Sequence, residues 1–310
     1  SGVALDLLET RSSIYSDRPP SHLMDGLIQQ DKIVFRSRYE HPRFKAYRRM
    51  LHSGLSPRAV RDYQPLQIQE VNTLLLNLVR TPEKFRSHIR RNAGAVIMKV
   101  AYGYEVTTDD DFFVKLVETS FEVIQRVLAT PYMIDFFPIL RLIKEHELEH
   151  VPFDWAKKTI ESGNYVDSFV SRFLRPEDQS VPSEEDQDIL KFVSAALYVG
   201  GADTTVSALT SFFYLMETHP EIQRRAQAEV DSVTGGGRLP IPEDEPKLPY
   251  VTAIIKEVIR WSPVAPLGLP HRVMQDDIYE NADGKSYLIP EGSTVFANIC
   301  HDPNSIPSES

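Results

Sequence analysis

Residues 196–216 read ALYVGGADTTVSALTSFFYLM, and the centre of this apolar run holds Gly200, Gly201, Asp203, Thr204 and Thr205. A helix built only for packing would avoid these types. Glycine costs about 1 kcal/mol of helix stability against alanine, and a carboxylate in apolar surroundings costs more unless something answers its charge. Glycines at 200 and 201 remove side chains and let another flat group approach the backbone, while threonine hydroxyls compete for carbonyls of the preceding turn. A groove holding a hydroxyl beside a carboxylate in a dry cavity suits proton delivery, with Asp203 and Thr204 as its two groups. The residues alone leave a second reading open, in which Thr204 and Thr205 satisfy themselves within a core helix and Asp203 pairs with a nearby arginine.

A second spaced pair lies in IIKEVIRW (254–261). Glu257 and Arg260, three apart, fall on one helix face and can pair there. The elements that must position both pairs read mostly as helices. Apolar residues at three-and-four spacing predict helices over 66–80, 112–129 and 155–174. Ser183 and Asp186 fit a capping box, so the central helix should begin near Glu184. Pro220 suits a first helical position, 235–249 is too rich in Gly and Pro to be regular, and a further helix runs from Tyr250 to Trp261. Beyond Pro263 the pattern alternates like strands, with turns at Asp283–Gly284 and at 290–292.

Composition narrows the function classes. The chain has 310 residues, 42% of them apolar, and a formal charge of −10. That balance argues against a general nucleic-acid binder and against attraction to an anionic membrane surface. Its one cysteine, Cys300, excludes an intrachain disulfide and suits a reducing setting. The opening SGVALDLLETRSS shows no signal-peptide pattern. Residues 189–216 are apolar enough to read as a membrane span. No basic flank or aromatic belt frames them, however, and Asp203 would need an internal partner, so a helix buried in a large core ranks above a span.

The two motifs, with HPEIQRRAQAEVD (219–231) between them and APLGLPHR (265–272) after, resemble the cytochrome P-450 family, the haem-thiolate monooxygenases, in a fungal microsomal style. The resemblance runs from LLETRSSIYSDRP (7–19) to LIPEGSTVFANI (288–299). It implies a mainly α fold with small β elements, read as one domain over 1–310. Gly200, Gly201, Asp203 and Thr204 fall on the family's oxygen-activating motif, which implies that Thr204 hydrogen-bonds the oxygen intermediate and Asp203 relays protons. Glu257 and Arg260 match its structural pair. In RFKAYRRML (43–51), Phe44 stands where the family often has Trp, and Arg48 resembles the arginine that pairs a haem propionate; His271 and Arg272 match further propionate partners. The resemblance puts the 19–34 loop, Leu197 and VAPLG (264–268), with Leu267 and Gly268, near an apolar substrate pocket. It further implies a b-type haem, O2, an NADPH-dependent reductase, a monomer, and placement at the cytoplasmic face of the endoplasmic reticulum. Residues 36–61 carry eight Lys or Arg and one acid, Glu40, which suits a docking face for an acidic reductase as well as haem-carboxylate partners.

One departure sets a competing expectation. The family's iron-ligating cysteine lies in a Phe-x-x-Gly-x-Arg-x-Cys-x-Gly loop, and no such loop occurs in this sequence. Cys300, in ANICHDPNS, lacks the glycine-rich surround and reads as a free thiol, so no metal ligand is assigned. The chain therefore reads as an internal piece of the family fold, without the amino-terminal anchor and the cysteine loop. The functional reading is a haem-dependent monooxygenase acting on an apolar organic substrate. Its alternative is a catalytically inactive helical remnant or binding protein.

Overall fold

The computed structural model describes residues 2–20, 32–129, 147–176 and 178–299. Their contacts fall into two units, Ser1–Lys45 with Ala265–Ser310, and Ala46–Val264. The fold is mainly α with small β elements.

The smaller unit contains short helices α1 (Gly2–Leu5) and α2 (Ser12–Tyr15) and strands β1 (His271–Arg272), β2 (Asp277–Glu280), β3 (Ser286–Ile289) and β4 (Thr294–Val295). β2 and β3 pair antiparallel with Ile278 opposite Leu288, and β1 pairs β4 with Arg272 opposite Thr294. The hairpin turn forms because Asn281 Oδ1 accepts the amides of Asp283 and Lys285, a side chain standing in for a backbone turn. Leu7, Tyr15 and Val273 make the core of this unit. Arg11 Nη1 and the Tyr15 hydroxyl both donate to Asp277 Oδ2, each at 2.9 Å, and fasten the helical segment to β2.

The larger unit follows with α3 (Phe44–Gly54), whose first two residues belong to the smaller unit, and α4 (Pro57–Asp62), α5 (Gln64–Arg80), α6 (Phe85–Tyr102), α7 (Phe112–Ala129), α8 (Glu147–Ser162), α9 (Phe169–Leu174), α10 (Glu184–Thr218), α11 (Pro220–Thr234) and α12 (Pro249–Trp261). Helices α5, α7 and α12 lie where the sequence pattern places them, and α10 begins at Glu184, where the Ser183 cap places it. The helix expected over 155–174 is instead two: Gly163 takes φ +82°, and Ser168 starts α9 by accepting the amide of Ser171 while the Ser171 hydroxyl accepts that of Ser168. Within the stretch expected to be irregular, Pro242–Lys247 forms a short 3-10 helix held by Arg238, whose guanidinium grips Asp244 at 2.6 and 2.9 Å. Glu229 of α11 accepts the Tyr250 and Val251 amides at 3.0 and 2.9 Å, capping the start of α12.

Helix α10, at 35 residues, spans about 50 Å and organises this unit. Ser183 caps it by accepting the Asp186 amide at 3.1 Å, and three acids in its first turn oppose the positive end of the helix dipole. By length and composition it could cross a membrane, yet residues 192–198 are all buried within the protein. Its most extensive partner is α6. A Cβ on Gly201 would stand 2.8 Å from Ile97 Cγ1, so the two helices meet where α10 has no side chain. Helix α6 is anchored from its other side, where buried Arg91 donates to Glu70 at 2.6 Å and to the Val106 carbonyl at 2.8 Å. Filling the gap should separate the helices: Gly201→Val is expected to cost about 1–3 kcal/mol in urea unfolding. Combined with Ile97→Ala, the loss should fall short of the sum of the single losses. A Gly201→Val chain as stable as the parent would remove the packing account.

Candidate functional site

In the larger unit, Gly200, Gly201, Asp203 and Thr204 share the middle of α10. The helix changes character there: Ala202 is buried, whereas Asp203, Thr204 and Thr205 are exposed. The Thr204 hydroxyl donates to the Gly200 carbonyl at 2.6 Å, so the residue answers its own polarity within the helix and keeps its oxygen lone pairs for an incoming donor. Successive helical positions point about 100° apart, so Asp203 faces elsewhere. Its side borders a half-open cavity of 260 Å³ between α6, α7 and α10. No arginine lies within ion-pair distance of Asp203 among the described residues. Nor are the two glycines alike. Gly201 admits Ile97 rather than an external flat group, while Gly200 is half-buried and serves through its carbonyl.

Glu257 and Arg260 form a two-pronged ion pair on α12, at 2.6 and 2.7 Å, as their spacing requires. Leu197 is buried nearly two turns before the exposed stretch, at 8% exposure. Arg48 lies exposed on α3, and no carboxylate pairs with it among the described residues.

The smaller unit holds the remaining candidates. Phe44 packs against Tyr39, ring centroids 5.4 Å apart. Leu267 is exposed, and Gly268 takes φ +61° in a turn whose Gly268 amide donates to the Ala265 carbonyl at 2.8 Å. His271 and Arg272, matched above to propionate partners, each hold a partner within the smaller unit. His271 Nδ1 donates to the Tyr15 carbonyl at 2.6 Å, and burial pushes its pKa down, aided by the charge of Arg18; the neutral ring then keeps a lone pair, not a proton, on Nε2. Arg272 Nη1 is spent on Asp17, 3.1 Å away. Residues 21–31 of the expected pocket loop, and Cys300, lie outside the described residues.

Asp17 is a residue that sequence reasoning missed. It is 2% exposed and accepts the Tyr39 amide at 3.0 Å, Arg272 at 3.1 Å and Arg38 at 3.3 Å. Nothing in SDRPP marks it, because its partners lie 21 or more positions away.

The family model described as Cytochrome P450 matches residues 4–303. The chain belongs to the cytochrome P-450 family. Among similar proteins, the cytochrome P-450 monooxygenase claR of Ampulloclitocybe clavipes is 35% identical, the match covering 97% of this chain and 59% of that protein. Cytochrome P-450 monooxygenase 208 of Postia placenta is 37% identical over 97% of this chain and 62% of its own length. The chain thus spans about three fifths of the length of the curated relatives it matches. A zebra fish cytochrome P-450 solved with progesterone superposes with a TM-score of 0.78 at 24% identity, covering 99% of this chain and 74% of that one, and so shares the fold.

The family implies a haem. The donor chemistry of the larger unit fits its periphery: Arg48 is a cation without a partner among the described residues, of the kind a propionate needs, and the Thr204 hydroxyl is an exposed acceptor just after the buried run of α10. Among the described residues no cysteine is present to ligate iron.

Burial alone would raise the Asp17 carboxyl, but the amides of Tyr39 and Arg18 and the guanidiniums of Arg272 and Arg38 outweigh it and hold the group below the usual carboxylate value. A depressed folded value means that the stabilisation is complete above the ordinary carboxylate pKa, about 3.9, and fades as pH falls through the lower folded value. Asp17→Asn should therefore lower the melting temperature near pH 7 and flatten its fall below about pH 4. Parallel melting curves for the two proteins from pH 7 to pH 2 would refute the assignment.

Proposed function

We propose that the protein to which this chain belongs is a haem-dependent monooxygenase that inserts one atom of O2 into a small, largely apolar organic substrate. The observation that carries this reading is the exposed Asp203–Thr204 step that follows the buried run 192–198 of α10, in a chain whose family membership is plain. When bound, haem supplies the redox chemistry: dioxygen is split so that one atom enters the substrate and the other leaves as water, with two electrons and two protons consumed.

This chain's residues would do the rest. Arg48 would hold a propionate by charge-assisted hydrogen bonds, since no carboxylate competes for it among the described residues. Thr204 Oγ1 would accept a proton from one side and, on rotating away from the Gly200 carbonyl, donate one to the other. Asp203 Oδ would restore that proton, because its side of α10 meets a cavity open to solvent. Leu197, buried on α10, is the apolar residue of the larger unit that we assign to the substrate's surroundings. Electrons would come from an NADPH-dependent reductase. Arg49, Arg58 and Arg61 are all exposed, and a basic surface on a chain of net charge −10 suits an acidic partner.

In the full-length protein, Thr204→Ala should lower product formed per NADPH consumed by about tenfold, with peroxide rising in its place, while Thr204→Ser should restore most of the coupling. Coupling unchanged in Thr204→Ala would refute the role.

A further inference from the structure

The turn between α6 and α7 sets a tyrosine against a carboxylate. Gly103 ends α6, and the Tyr104 amide closes back on the Met98 carbonyl at 3.3 Å, which delivers the Tyr104 ring to the start of α7. There its hydroxyl donates to Asp111 Oδ2 at 2.8 Å. Asp111 caps α7: its Oδ1 accepts the Phe113 amide at 2.9 Å, and the helix end answers part of its charge. The residue is nonetheless buried, and no cation pairs with it among the described residues. Burial makes such a carboxylate a strong acceptor. The rings of Phe113 and of Trp155 from α8 stand edge-on to Tyr104, their centroids 4.6 and 4.9 Å away. Burial, the hydrogen bond and the charge of Asp111 push the Tyr104 phenol up to about 12, so near neutral pH it does not simply lose its proton. Three other tyrosine hydroxyls are placed differently. Tyr63 and Tyr198 donate to the Gly54 and Phe113 carbonyls, which are not bases, and Tyr15 donates to Asp277, a carboxylate that Arg11 already answers.

We propose that Tyr104 is a one-electron redox site, whose phenol gives an electron to an outside oxidant through the Trp155 indole and its proton to Asp111. The step balances. A one-electron oxidant, such as a metal complex or an oxygen-derived radical, takes an electron from the half-buried Trp155 indole, and Tyr104 replaces it. The Tyr104 Oη–H bond breaks, and an O–H bond forms on Asp111 Oδ2, already within proton-transfer distance. What remains is a neutral tyrosyl radical, a neutral carboxylic acid and an intact tryptophan, with the oxidant reduced by one electron. The pair passes from one negative charge to none, whereas loss of the electron alone would leave a buried phenol cation. Reduction runs backwards along the same path, with Asp111 returning the proton. The site therefore holds one oxidising equivalent and releases it, while Phe113 and Trp155 shield the ring from coupling partners.

This inference needs no haem and stands apart from the oxygenation reading above. The chain is illuminated with ruthenium tris-bipyridine and persulfate, which together generate a one-electron oxidant, and electron paramagnetic resonance follows the tyrosyl signal. The chain holds 13 tyrosines, and radicals on exposed ones couple and vanish early, so the long-lived part of the signal is the readout. Tyr104→Phe, which keeps the ring, should remove that part. Asp111→Asn should reduce it severalfold although Tyr104 is intact, because asparagine caps a helix as well as aspartate does but takes no proton here. Trp155→Phe should slow its appearance severalfold. A long-lived signal of parental size in Tyr104→Phe overturns the redox site, and one of parental size in Asp111→Asn overturns the proton transfer on which it depends. Appearance as fast as in the parent in Trp155→Phe overturns the indole path. If Tyr104→Phe does not fold, Asp111→Asn decides alone: loss of the signal supports the site and its retention removes it.

Discussion

The contact between α10 and α6 at Gly201 and Ile97 is the constraint from which the larger unit takes its form. A helix of 35 residues with buried and exposed stretches cannot choose its own rotation by amphipathicity, because apolar residues occur nearly all round it. The missing side chain at 201 makes the choice. Once Ile97 enters there, Ala202 is turned into the protein and Asp203, Thr204 and Thr205 are turned out, each with a different outlook. The polar centre is thus displayed by a packing decision one residue away from it. At Gly201 the missing side chain makes room for a neighbouring helix.

Polar residues hold the scaffold at points where apolar packing alone would leave freedom. Arg91 reaches Glu70 and the Val106 carbonyl, tying α5 and the chain after α6 to one guanidinium. In the smaller unit Asp17 gathers Arg38, Arg272 and the Tyr39 amide. Burying such groups is costly when any partner is lost, so they restrict the arrangement more than they stabilise it. Arg272 shows the consequence for function. A cation already answered by a buried carboxylate is a weaker candidate for an external anion than exposed Arg48.

Much of this was legible in the residues themselves. Periodicity located α5, α7 and α12, and Ser183 with Asp186 located the start of α10, because caps and apolar stripes are local signals. The break at Gly163 was not, since the apolar period continues in phase across it and the Ser168–Ser171 exchange that restarts the helix looks like ordinary serine content. Helix α6 was hidden for the opposite reason: Arg91, His88 and Asn92 interrupt its stripe although all three are buried. The partner of Arg91, Glu70, lies 21 positions away in α5, outside any short window. At the site, spacing brought Asp203 and Thr204 onto one helix and Glu257 and Arg260 onto one face. The tie of Arg272 to Asp17 across 255 positions had no local signature.

The cap that Glu229 places on α12 links two helices by one side chain. Because both amides at the start of α12 close on a residue near the end of α11, neither helix can fray at that corner alone. Their melting becomes a shared event, and the Glu257–Arg260 fork farther along α12 inherits its steadiness from a carboxylate 28 positions upstream.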